Sequence, residues 1–121
     1  MTWKKFILDE DPISVSDVTK TATVTTVQAT SAGNTTVWDP AAGKSLRIKL
    51  IMVFNSGAAS ITVYLRDGAA GAAKFQVTLA ANTGYVMNLI GCNWQLAVDA
   101  VLYVNLSVIG TVDVTVLGEE I

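Results

Sequence analysis

Residues 61–79, ITVYLRDGAAGAAKFQVTL, hold two stretches of alternating apolar and polar residues joined by a segment made almost wholly of glycine and alanine. A period of two belongs to extended chain, where successive side chains point to opposite faces. Arg66-Asp67-Gly68 supplies a turn between the two stretches, so the pair reads as an antiparallel hairpin. The connection from Gly68 to Ala73 contains no His, Ser, Cys, Asp or Glu placed to move a proton.

Working outward, the same period runs from residue 22 to the end, and helical periodicity is missing. Val and Thr crowd the chain, and turn residues interrupt it every eight to twelve positions: SAGN before Thr35, NSGAAS at 55–60, ANTG at 81–84 and IG at 109–110. Strands are expected at 21–28, 35–38, 46–55, 60–66, 74–79, 84–90, 94–97, 100–108 and 111–117. Eight or nine short antiparallel strands without a helix predict an all-β, two-sheet sandwich, with a jelly roll as the form that accommodates about eight. An immunoglobulin-like sandwich is the rival, and the Cys…Trp…Cys spacing of antibody domains is not present.

Two of these strands are apolar on both sides. In 46–55, Leu46, Ile48, Leu50, Met52 and Phe54 fall on one face, read as core, while Arg47, Lys49, Ile51 and Val53 fall on the other. The half of the second face formed by Ile51 and Val53 is expected to be covered by an arm or a neighbouring subunit. In 100–108, Val101, Tyr103 and Asn105 alternate with Leu102, Val104, Leu106 and Val108. Ile51, Val53, Leu102 and Val104 are therefore the candidate subunit-interface residues.

Composition points the same way. Of 121 residues, 51% are hydrophobic and 15% charged, which leaves little polar surface for a small monomer. One domain is expected at this length. A net charge of −2 offers no basic field for phosphate neutralisation, so no nucleic-acid partner is expected. The apolar stretch 6–8 is too short for a signal peptide, and no apolar window reaches the length of a spanning helix; the chain is expected to be soluble, cytosolically made and without a membrane partner. The single cysteine, Cys92, has no partner for an internal disulfide and is expected to be a small buried apolar residue.

Residues 1–20 differ from the rest. Trp3 and Phe6 flank Lys4 and Lys5, an acidic run Asp9-Glu10-Asp11 follows, and Pro12 opens a polar stretch. This reads as an arm, with the sandwich domain occupying 21–121. Fully extended, about 20 residues reach roughly 65 to 70 Å, far enough to lie on another subunit. Trp3, Lys4, Lys5 and Phe6 are the candidate contact residues of the arm.

Chemistry is hard to place on this chain. Histidine is absent, which removes Ser/His/Asp and Cys/His arrangements and the usual zinc sites. Asp9-Glu10-Asp11 lacks the alternating oxygen ligands and central glycine of a calcium loop. GAAGAAK at 68–74 lacks the Gly-Lys-Ser/Thr ending of a phosphate loop and precedes a strand. No catalytic residue, metal or cofactor is expected. Trp38, Trp94, Tyr64, Tyr85 and Tyr103 leave a carbohydrate-binding module open as an alternative; Trp38 and Trp94 sit at strand ends, where an indole more often plugs a sandwich edge.

VWDPAAGKSLRIKL at 37–50, VYLRDGAAGAAKF at 63–75, LAANTGYV at 79–86 and GCNWQL at 91–96 resemble a group of small all-β virion proteins of tailed bacteriophages. The shared pattern is Trp-x-Pro-Ala-x-Gly-Lys into a long strand, a Leu-Arg-Asp-Gly hairpin, an Ala-Asn-x-Gly turn and Gly-x-x-Trp, covering about half the chain. The resemblance implies a jelly-roll domain that assembles as a homotrimer and decorates or cements the head. Its implied partner is the major capsid protein and its implied location the outer surface of the virion, after synthesis in the host cytoplasm. A tail or head-fibre component is the alternative within the same group. Gly/Ala hairpins would suit such a part, since backbones approach closely where side chains are small.

Overall fold

The computed structural model describes residues 22–68, 73–92 and 94–121. The arm, with Trp3, Lys4, Lys5 and Phe6, lies outside the described residues, as does the centre of the Gly/Ala hairpin. Among the described residues nine strands form in chain order: β1 (Thr23–Ala29), β2 (Thr35–Trp38), β3 (Leu46–Asn55), β4 (Ile61–Asp67), β5 (Ala73–Leu79), β6 (Thr83–Asn88), β7 (Trp94–Gln95), β8 (Leu102–Leu106) and β9 (Val112–Glu120). They lie at the expected positions, with ends shifted by up to three residues.

The strands make two antiparallel sheets. One has the order β1-β9-β3-β6, with β7 also paired to β3, and the other the order β2-β8-β4-β5. Strands adjacent in sequence mostly alternate between the sheets, and the late strands β8 and β9 insert beside the early ones. That winding is a jelly roll, two interleaved Greek keys.

The core lies between the sheets. Ile51, Val53, Val112, Val114 and Val116 of the first sheet face Val63, Leu65, Leu102, Val104 and Leu106 of the second, all at most 2% exposed. Four corrections follow for the expected interface: Ile51, Val53, Leu102 and Val104 are interior residues of the chain's own sandwich and present nothing to a neighbour. The cause in β3 is a β-bulge. The register on β9 passes from Ile48↔Gly118 to Leu50↔Leu117, so Lys49 is the extra residue and the inward set changes from Leu46 and Ile48 to Ile51, Val53 and Asn55. Leu50, Met52 and Phe54, expected in the core, turn outward. The bulge sits beside Gly118, where a Cβ would collide with the Arg47 carbonyl oxygen and approach Trp38 Cζ3 to 3.2 Å.

The WDPAAGK turn is tied down at several points. Trp38 Nε1 donates to Glu120 Oε2 (3.2 Å), Ala41 N to Glu120 Oε1 (2.9 Å) and Gly43 N to Asp99 Oδ1 (2.6 Å). Gly43 takes φ 79° and Gly68 of the 66–68 turn φ 85°, conformations in which glycine meets no Cβ clash. In the 81–84 turn the left-handed residue is Asn82, φ 54°, rather than Gly84. Cys92 is exposed in the loop after β6, against the expectation of burial, because the loop carries it outside both sheets.

Candidate docking surface

The two outer faces of the sandwich differ. On the β2-β8-β4-β5 sheet the outward residues are largely polar and bonded to one another, as in Thr62 Oγ1 to Thr78 Oγ1 (2.8 Å) and Asn105 Nδ2 to Asn34 Oδ1 (2.8 Å). On the β1-β9-β3-β6 sheet the registers stack Thr26, Thr115, Met52 and Val86 in one cross-strand row and Gln28, Asp113, Phe54 and Gly84 in the next. Met52 is 45%, Phe54 43% and Val86 56% exposed. The bulge creates this face: without the extra residue at Lys49, Met52 and Phe54 would point inward.

Between these rows lies an open hollow of about 230 Å³, lined chiefly by Met52, Phe54, Gly84, Tyr85, Val86 and Asp113. Gly84 shapes it. A Cβ there would come within 2.9 Å of the Val53 carbonyl oxygen and 3.0 Å of Phe54 Cδ2, so the Phe54 ring can lie against β6 only where the partner residue lacks a side chain. The Tyr85 side chain, opposite inward Val53, turns to the other side of β6, its ring 6.1 Å from that of Phe75 in the second sheet and tilted by 42°. Asp113 stands at the polar margin and accepts from Gln28 Nε2 (3.1 Å), while Thr26 and Thr115 hydroxyls meet at 3.3 Å. Towards the far end of the sheet, Arg47 Nη1 and Lys49 Nζ reach Glu119 Oε1 at 3.2 and 3.9 Å.

The hollow is smaller than the roughly 300 to 1,000 Å³ of ordinary small-molecule sites, and its walls are mostly apolar. It suits one inserted side chain better than a metabolite. Met52 and Phe54 each have close to half their surface left to bury, about 1 kcal/mol apiece on covering. Among the residues that line it, Asp113 is the only carboxylate. Among the described residues no three His, Cys, Asp or Glu cluster to hold a metal.

The residues singled out in the sequence separate accordingly. Trp38 is buried with its indole N–H on Glu120, and Trp94 is half-buried against the core, so neither indole forms an open sugar platform. Met52, Phe54 and Val86 were not singled out as contact residues. For Met52 and Phe54 the signal is the double-sided apolarity of 46–55, which reveals an apolar outer face and not which residues compose it.

The strand order and the exposed residues define a jelly-roll β-sandwich with an apolar patch on one outer face. No family model and no curated protein matches the chain. Among solved structures it is similar to a protein from Bacillus endospore appendages described as a family of disulfide-linked pili, at 11% identity and TM-score 0.44, over 83% of this chain and 89% of that one. It is also similar to a chain of the virus-like particle of Macrobrachium rosenbergii extra small virus (11% identity, TM-score 0.43, 84% and 79% covered) and to the SPBc2 prophage-derived protein YomS (13%, 0.39, 81% and 94%). Likenesses of this size carry no function across.

Proposed function

We propose that this protein is a non-enzymatic structural component of a tailed-bacteriophage virion: a homotrimeric decoration protein that binds the major capsid protein on the outside of the head and stabilises the shell. The observation that carries the reading is the exposed apolar patch of Met52, Phe54 and Val86 on the outer face of the β1-β9-β3-β6 sheet. A soluble monomer gains nothing from such a row, whereas a part that must pack against other chains does. The resemblance at 37–96 supports the phage context, and its turns are the ones held by Glu120, Asp99 and Gly68. Jelly-roll frames recur among viral capsid domains.

In this reading residues 1–20 are the arm and 21–121 the body, and Trp3, Lys4, Lys5 and Phe6 make the contact outside the parent sandwich. Deleting residues 1–18 is expected to leave the β spectrum in circular dichroism unchanged and to weaken co-sedimentation with undecorated heads. An aromatic anchor of this kind is worth about 2 kcal/mol, roughly thirtyfold in affinity per site. Unchanged co-sedimentation overturns the arm's role. Labelled antibody confined to the tail in electron micrographs overturns decoration in favour of a tail part.

A further inference from the structure

We infer that the hollow on the β1-β9-β3-β6 face receives the arm of a neighbouring copy of this chain, with an apolar side chain of residues 3–8 seated among Met52, Phe54 and Val86. The inference rests on the homotrimeric reading above and adds the surface that the arm occupies.

Three observations carry it. The first is where the described chain begins. Residue 22 leads directly into β1, the edge strand of the sheet that bears the hollow. Three strand spacings of about 4.8 Å and three residues along the strand, roughly 10 Å, separate Thr23 from the row Thr26, Thr115, Met52 and Val86, a span of roughly 17 Å. The 20 residues from Trp3 to Thr23 can reach roughly 66 Å, about four times that distance and well beyond a sandwich of this size. Such a length is more than the parent hollow needs and enough for the next copy's.

The second is chemical match. Trp3, Phe6, Ile7 and Leu8 are apolar residues of the arm's first half, and the hollow has room for about one such side chain. The third is charge. Asp113 borders the hollow, and its hydrogen-bond partner is the neutral amide of Gln28. Lys4 and Lys5, interleaved with the apolar anchors, complement it. A head-to-tail contact in which each copy gives an arm and offers a hollow uses two different surfaces, and it stops growing only where the rotation closes, as a three-membered ring does.

The test is a mixed disulfide in protein free of capsids. In a Cys92→Ser background, which removes the exposed native thiol, one preparation carries Lys4→Cys and a second carries Val86→Cys. After the two are mixed and allowed to exchange subunits, oxidation is expected to give a heterodisulfide between the two kinds of chain. Within an assembly the arm is held at about millimolar effective concentration, so the link should form roughly a thousandfold faster than between unassociated chains at micromolar protein, and faster than in a control with Gln76→Cys on the opposite outer face. Phe54→Asp in the second preparation should abolish the advantage. A heterodisulfide no faster than the control overturns the inference, and so does a chain carrying both cysteines that links only to itself, which places the arm on its own sheet. Capsid co-sedimentation is untouched by either failure, so the virion reading stands or falls separately.

Discussion

Asn55 ends β3 with its side chain turned into the sandwich, 1% exposed, where an amide at first looks out of place among valines. Its Nδ2 donates to the carbonyl oxygens of Ala59 (2.8 Å), Ala80 (3.2 Å) and Leu79 (3.3 Å), and its Oδ1 accepts from Gly57 N (2.9 Å). One side chain thus fastens the 56–60 loop to the end of β5, across the gap between the sheets. Each bond is worth about 1 kcal/mol, and buried carbonyls left without a donor cost more. Asn55→Ala is expected to lower stability by about 2–4 kcal/mol in urea unfolding. Asn55→Asp, nearly the same shape, is expected to cost at least as much at neutral pH, because a carboxylate accepts only and would face three carbonyl oxygens. If Asp is tolerated as well as Asn, the donor role assigned to Nδ2 is wrong.

β3 shows at the scale of an element what alternation does and does not reveal. Its ten residues are legible as a strand from the period, and its end from the NSGAAS turn at 55–60. The assignment of its faces is not. A bulge adds one residue without breaking the apolar/polar rhythm, and LRIKLIMVFN is apolar at enough positions for either register to look acceptable. Cys92 failed for a different reason: the burial habit of cysteine is an average over positions, and the β6–β7 loop is outside the core. The corrected register makes a sharp expectation. Ile51→Asp buries a carboxylate at a position with 0% exposure and should cost about 4 kcal/mol or more, enough to unfold the chain. Met52→Asp, one residue on and 45% exposed, should leave the folded β spectrum intact. The reverse pattern in paired urea titrations would restore the unbulged strand.

For the whole molecule, the surplus of apolar residues was legible from composition, but its place on the surface depends on how the strands of the first sheet align, which composition does not encode. The neighbouring outward residues Met52, Phe54 and Val86 form the patch that the proposed trimer contact uses. If three chains are linked through it, the protein should sediment at micromolar concentration as about three chains. Its melting should also depend on concentration. For a trimer that unfolds to three chains, a tenfold rise in concentration adds two-thirds of RT ln 10 per chain, about 0.9 kcal/mol, which raises Tm by about 4 °C at the unfolding entropy typical of a domain near 100 residues. Phe54→Asp places a charge in the middle of the contact while leaving the inward set Ile51, Val53 and Asn55 untouched. It should give a folded single chain whose Tm no longer moves with concentration. A wild-type protein that stays monomeric across that range, with a Tm that does not move, rules out the trimer, and a trimer unaffected by Phe54→Asp moves its contact to another face.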